Sequence, residues 1–462
     1  MKYSKFSTLI KDYLPFILFL PIFLNFFLNI TFESYSNGIY FNFPNLISTL
    51  MLFIFLLTIG KAMKESLKIE NLSFGITIYL ISFFMFDSYI LLVSKNLSFQ
   101  QNFYVVMFLW FVFFIFKKVD NVLLISIFIL FFLNIVINRH YGYSFDKNTN
   151  IEVDVWYYIE FSKNIFENNY FYSMNNNIFA GYSQFSSYIQ TILHSLSFIE
   201  LDYNYYRSTS NVLFFLLCLV IFESTKDSNM RIFAISLFSS LTLNSNWLEF
   251  LFFDSLMSEG ILNFLFTSAT IAIFNEKNKK LSFFIFGVLI FSKQFYIVLV
   301  LITGLMFILL KKYRKFAPYI FIGIATKELI YLTYFKNLEK DHHIRQIDIL
   351  DTILDLILLR DLNLYNFIEI LKNLFIDKPF SYLIVLMIGL YIFNLIKNQS
   401  SFEINYFGLI IFLNFLLIVL LYISAWRQME LESPIRFILN LFTLKIIFVT
   451  KNLELLKNTI KS

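Results

Sequence analysis

From Tyr13 to Phe32 the chain runs for 20 residues without a charged side chain, and similar runs recur all the way to the C-terminus. The hydrocarbon layer of a bilayer is about 30 Å thick and takes about 20 predominantly apolar residues of helix to cross. A scan with a window of about 19 residues places spans at 13–32, 44–60, 73–94, 104–116, 122–138, 207–225, 232–247, 256–274, 281–293, 294–310, 316–334, 380–396, 402–424 and 436–450. Lipid offers no partner to a bare backbone group, and these runs lack the alternation of membrane β-strands, so each is expected to be a helix. The expected fold is all-α, a polytopic transmembrane helical bundle of about 14 spans.

Composition removes the alternatives. The chain is 58% hydrophobic and 15% charged, whereas soluble domains run at about 45–50% apolar and about 25% charged. With 11 Gly and 6 Pro in 462 residues, collagen-like and linker-rich architectures are excluded. The 63 Phe and 28 Tyr, with abundant Ile, Asn and Lys, are what AT-rich codons supply, so a single aromatic carries little functional weight. Cys218, the one cysteine, sits in an apolar run, which excludes disulfides and thiolate metal sites. Lys2, Lys5 and Lys11 precede the first run in the charge order of a signal peptide, but that run is too long and lacks a small-residue cleavage site. It reads as a retained first span.

Orientation follows from the basic residues, which stay on the cytoplasmic side of span ends. With the N-terminus inside, the inner loops hold Lys61, Lys64 and Lys68; Lys117 and Lys118; Lys226 and Arg231; and Lys277, Lys279 and Lys280. Lys311, Lys312, Arg314 and Lys315 follow, then Lys397, and finally Lys451, Lys457 and Lys461. The outer segments 33–43 and 248–255 hold no Lys or Arg. The net charge of +5 is therefore loop charge, and no nucleic-acid partner is expected. The chain divides into spans 1–5 (1–138), a first external loop with juxtamembrane helices (139–206), spans 6–11 (207–334), a second external loop (335–379), and spans 12–14 with a cytoplasmic tail (380–462). In the second loop Ile347, Leu350, Leu354, Ile357 and Leu358 recur at spacings of three and four, opposite Asp348, Asp351 and Asp355, which describes an interfacial amphipathic helix with a solvated acidic face.

No phosphate-cradling glycine loop, paired-histidine metal motif or nucleophile elbow is present. The informative residues are charges within or beside spans, since burying one costs at least about 2.5–3.5 kcal/mol and calls for a partner or a role. They gather on the expected outer side: Glu152, Asp154 and Glu160, then Arg207, Asp254, Glu259 and Lys293, then Arg427, Glu430, Glu432 and Arg436.

The stretch Asp154 to Asn169 resembles the first external loop of the GT-C superfamily of polyprenyl-phosphate-sugar-dependent glycosyltransferases, which includes protein O-mannosyltransferases and the lipid A aminoarabinose transferase. In that family a catalytic Asp opens a juxtamembrane helix, a Tyr follows four residues later and a polar turn closes it; Asp154, Tyr158 and Asn168-Asn169 fit that spacing. Tyr203 to Ser210, with Arg207, resembles the family's Arg-led start of the next span, and Asp254 matches an acidic residue of the next external loop. Phe291-Ser292-Lys293-Gln294 resembles its lysine-bearing break, and Glu432 to Phe437 its late Arg-bearing segment. The sequence departs from the family at Val155, often acidic there, at Ala180-Gly181-Tyr182, where the family is Pro-rich, and in carrying four spans ahead of the shared module.

The resemblance implies transfer of a sugar from a polyprenyl-phosphate donor to a hydroxyl acceptor (glycan, lipid or protein) at the outer face of the plasma membrane; no cofactor and no metal-ligating residues are assigned, and the metal requirement stays open. Asp154 is the expected base, Lys293 and Arg436 the expected phosphate contacts, with Arg427, Tyr158, Arg207 and Asp254 lining the site. Competing readings make Asp154 a helix N-cap, Lys293 a snorkelling lysine and Arg427 with Glu430 a surface ion pair. Two other classes stay open. An O-antigen polymerase or ligase would use Arg345, Arg360, His342 and His343 of the second loop, and a lipid-linked oligosaccharide flippase would line mid-membrane depth with charge. His342 and His343 are adjacent, which is poor spacing for one metal.

Overall fold

The computed structural model describes residues 32–35, 38–41, 43–93, 99–140, 203–244, 258–289, most of 303–335, 378–397, 401–423 and 441–461, with single helical residues between 365 and 372. The expected first span at 13–32, the loop 139–206 and the amphipathic stretch 347–358 lie outside these residues, apart from Phe32 and the helical residues 139–140 and 203–206.

The described chain is helical except for one hairpin. That hairpin pairs β1 (Phe32–Tyr35) with β2 (Gly38–Phe41), antiparallel, in the register Phe32 to Phe41 and Tyr35 to Gly38. The helices are α1 (Phe43–Leu67), α2 (Leu72–Val93), α3 (Phe99–Phe116), α4 (Asn121–His140), α5 (Tyr203–Ser224), α6 (Ser228–Asn244) and α7 (Ser258–Asn275). They continue with α8 (Lys279–Val288), the short α9 (Lys311–Arg314), α10 (Ala317–Phe335), α11 (Lys378–Ile396), α12 (Phe402–Ile423) and α13 (Phe442–Lys461). Each apolar run that falls on described residues is thus a helix, although between 294 and 310 only parts of 303–309 are described.

Among the described residues no single helix is long and apolar enough to cross a membrane; α1 and α2 pass that test together, as Leu50–Leu67 and Leu72–Phe86 bent by 93°. Shorter apolar stretches of 10–17 residues occur in α3, α4, α5, α7, α10, α11 and α12.

Two lysines terminate helices in place of glycine. Lys68 after α1 and Lys118 after α3 take positive φ, 56° and 54°. The amide of Ile69 then reaches back to the carbonyl of Lys64 at 3.2 Å, and that of Val119 to Phe114 at 3.1 Å. These are Schellman closures, with Ile69 and Val119 as the buried apolar anchors beyond the turn. The left-handed conformation costs a non-glycine residue about 1–2 kcal/mol, partly offset because a cation at a helix C-terminus meets the negative end of the dipole.

The core is built on α5, α7 and α13, in which every residue of 212–221, 260–273 and 441–450 is buried. Helix α7 packs on α5, α2, α8 and α13, while α13 also meets α6, α11 and α12. Helices α1 and α2 lean on α5 and carry α3 and α4 outside them. Close approach depends on glycine at two crossings. A Cβ on Gly75 would lie 2.6 Å from the carbonyl oxygen of Gly60, and one on Gly287 in α8 would lie 2.2 Å from that of Ile320 in α10.

Peripheral helices show the reverse pattern. Phe108 (66% exposed), Ile115 and Phe116 on α3, Val122, Ile125 and Phe128 on α4, and Val385, Ile388 and Ile396 on α11 turn large apolar side chains outward. A water-soluble monomer rarely shows contiguous apolar surface beyond a few hundred Å².

Candidate functional site

Six of the expected site residues, Asp154, Tyr158, Asp254, Lys293, Arg427 and Arg436, lie outside the described residues, as do Glu152, Glu160, Glu430, Glu432, His342 and His343. Arg207 is placed by its backbone, in the second turn of α5. What the structure does show is the frame to which the segments bearing these residues attach.

One end of that frame is a charged layer. Glu276, just past α7, accepts from the backbone N–H of Glu70 and of Asn71, both at 2.7 Å. Glu223, in the last turn of α5, accepts from the N–H of Leu72 and, at 2.9 Å, that of Ser73, and takes the Ser73 hydroxyl as well. Two carboxylates thereby accept from four successive N–H groups leading into α2, of which those of Asn71, Leu72 and Ser73 are among the donors a helix leaves without internal partners. Each acid sits at a helix C-terminus, where its own helix dipole disfavours it, and is stabilised by the N-terminus of another helix. Burial pushes the Glu276 carboxyl above the usual range, against the pull of its two backbone bonds.

The same layer ties the remaining loops. Lys277 pairs with Glu70 at 3.0 Å. Lys457 of α13 bonds Asp227 between α5 and α6, and this bond holds the Asp227 carboxyl below its usual range. Lys451 meets Glu403 of α12 at 3.1 Å, and the amide of Asn394 donates to Asn452 Oδ1 at 2.7 Å. Lys279 donates to the last carbonyls of α7, on Ile273 and Phe274, at 2.7 and 2.8 Å. Burial, and then repulsion by Lys312, lowers its pKa. Beneath lies an aromatic cluster in which Tyr313 stacks on Phe283 (6.0 Å between centroids) and on Phe402 (6.2 Å).

Since α5, α7 and α13 all contribute to this layer at one end, their other ends, at Tyr203, Ser258 and Phe442, lie opposite it. Those are the ends next to the segments 141–202, 245–257 and 424–440, which carry Asp154, Asp254, Arg427 and Arg436. At about 1.5 Å per residue an 18-residue helix such as α7 separates the two ends by about 27 Å.

Between the ends, the core holds polar side chains satisfied by hydrogen bonds. Asn263 of α7 donates to Thr443 of α13 at 3.0 Å and accepts from Thr267 at 3.2 Å. Thr77, Thr242, Thr270 and Thr450 return their hydroxyls to the carbonyl four residues back. Lys445 is 4% exposed within α13. The sequence reading passed over Glu223 and Lys445, both inside apolar runs. The signal for Glu223 was available: an acid in the last turn of an apolar helix opposes that helix's dipole and so points to a partner elsewhere.

No protein-family description, curated protein or solved structure matches the chain.

Proposed function

We propose that the chain is an integral membrane glycosyltransferase of about 14 spans, transferring a sugar from a polyprenyl-phosphate carrier to a hydroxyl acceptor at the outer face of the plasma membrane. The observation that carries the membrane part is the outward apolar surface of α3, α4 and α11 around a core that keeps its polar side chains inside. The charge layer supports the sidedness: its lysines belong to the loops that the positive-inside rule assigns to the cytoplasm, and the segments with the candidate residues attach at the other end. The chemistry rests on residue types and on the resemblance to GT-C enzymes.

In this reading the acceptor oxygen attacks the anomeric carbon, its proton passes to Asp154, and the bond from that carbon to the phosphate oxygen breaks. Lys293 and Arg436, with Arg427, stabilise the charge that grows on the departing phosphate. Tyr158, Arg207 and Asp254 line the donor and acceptor sites. The test is Asp154→Asn, assayed for transfer from a synthetic polyprenyl-phosphate sugar in detergent. Loss of more than about 100-fold in turnover is expected, with unchanged thermal unfolding. Wild-type turnover in the folded variant would remove Asp154 as the base.

A further inference from the structure

The charged layer is not evenly neutralised. On the side of α1 and α2, Glu65 and Glu70 accompany Lys61, Lys64 and Lys68, and at the start of α6 Asp227 answers Lys457. The α7–α8 turn and α9 differ. They bring together Lys277, Lys279 and Lys280 with Lys311, Lys312, Arg314 and Lys315, seven cations from two segments more than 30 residues apart. Of the nearby acids, Glu276 is held by backbone N–H groups of the α1–α2 turn and Glu403 by Lys451, and Glu70 pairs with Lys277 alone of the seven. Lys280, Lys311, Lys312, Arg314 and Lys315 are exposed, with no carboxylate in ion-pair distance among the described residues.

The patch is held in shape. Tyr313 is the one buried residue of α9, anchored on Phe283, Phe307 (5.2 Å) and Phe402, so the basic residues on either side of it face outward. Phe316, just past α9, stacks on Phe283 at 5.5 Å, and Lys280 lies 5.6 Å from the ring of Tyr319 in α10, which follows α9 directly. A fixed group of cations with aromatic rings directly beneath, at the rim of an apolar bundle, fits phosphodiester headgroups whose acyl chains run along the bundle wall.

We infer that the α7–α8 turn and α9 form a binding surface for anionic phospholipid headgroups at the charged end of the protein. This rests on the membrane reading but not on the transfer chemistry.

The test uses the full chain in vesicles of phosphatidylcholine, of phosphatidylcholine with phosphatidylglycerol, and of phosphatidylcholine with inorganic phosphate in the buffer. The readout is the rate of acetylation of Lys312 and Lys315, residue by residue, by mass spectrometry. Phosphatidylglycerol should slow both several-fold and inorganic phosphate should not. In native mass spectrometry, Lys312→Gln with Lys315→Gln should lower phosphatidylglycerol retention about tenfold, while the equal charge removal Lys61→Gln with Lys117→Gln should lower it far less. Equal loss in both variants, or equal protection by free phosphate, would overturn the inference and leave the membrane reading standing. Failure of the chain to enter any vesicle would overturn both.

Discussion

Helices α7 and α11 have nearly the same length, 18 and 19 residues, and both carry apolar stretches, yet they sit in opposite surroundings. Every described residue of α7 from 260 to 273 is buried, and that helix carries Asn263, Thr267, Ser268 and Thr270. Helix α11 buries Leu383, Met387 and Asn394 and turns Tyr382, Val385, Ile388, Ile392 and Ile396 outward. In water the polar residues would belong on the outside and the branched apolar ones within. The two helices differ in packing and in side-chain hydrogen bonds more than in hydrophobicity, which is the pattern that the proposed membrane setting predicts.

The sharpest break in this comparison is made with glycine. Gly287, in the α8–α10 crossing, has no room for a β-carbon, whereas nothing lies within 4 Å of one placed on Gly389 of α11. Gly287→Val should destabilise by about 3 kcal/mol or more, through a forced separation of two backbones. Gly389→Ala should stabilise by about 0.5–1 kcal/mol, from helix propensity alone. Thermal unfolding in detergent measures both, and equal effects would mean that α8 and α10 do not cross at that glycine.

Next in size is the outward face itself. Ile388 is 55% exposed near the middle of α11. In water Ile388→Lys would change stability by about 0.5 kcal/mol at most. At bilayer depth it should cost about 2.5–3.5 kcal/mol, read as loss of membrane-inserted protein. A neutral result would place this face in water and remove the basis for the membrane reading.

The carboxylate clamp at the start of α2 comes third. Glu276→Gln keeps the shape but replaces one accepting oxygen by a donor that faces a backbone N–H, at a cost of about 1–3 kcal/mol. Because the Glu276 carboxyl is raised above its ordinary 4.5, the folded state holds its proton longer than the unfolded state does. Its contribution to stability therefore falls as pH rises from about that ordinary value through the raised one. The Gln variant should lack this part of the pH profile, and an unaltered profile would assign the titration to another group.

Helix positions were legible in the sequence because long, nearly uncharged apolar runs without alternation exceed the length of strands and read as helices. The run 122–138 became Asn121–His140, and 402–424 became Phe402–Ile423. Helix ends were less legible, because hydrogen bonds and capping set them. The run at 436–450 stops where Lys451 enters the window, but α13 continues to Lys461, with Lys457 tied to Asp227 and Lys451 to Glu403. The β1–β2 hairpin was not legible, because the Asn37-Gly38 pair is out of register for an Asn-Gly turn: Gly38 is itself paired with Tyr35. For the site the sequence supplies residue types and their order. The charge pattern already assigns the segments bearing Asp154, Asp254, Arg427 and Arg436 to one side, and the frame adds the helix ends, at Tyr203, Ser258 and Phe442, to which they attach.

The smallest expected effect separates surface charge from the buried clamp. Asp227 and Lys457 are bonded but part-exposed, at 35% and 25% of their side chains, so solvent and salt screen the pair and its worth should stay below about 1 kcal/mol. The sign is opposite to that of Glu276. The Asp227 carboxyl is lowered from its ordinary 3.8, so the stability it adds is complete above that value and is lost as pH falls through the lowered one. Asp227→Asn should therefore lower the melting temperature slightly at neutral pH, less in high salt, and not at all once the pH is below the folded-state value. Asn keeps an oxygen that can accept from the amides of Asn229 (2.9 Å) and Met230 (3.1 Å) and so keeps the cap of α6; a loss as large as that of Glu276→Gln and indifferent to salt would therefore overturn the reading of Asp227–Lys457 as a screened surface pair.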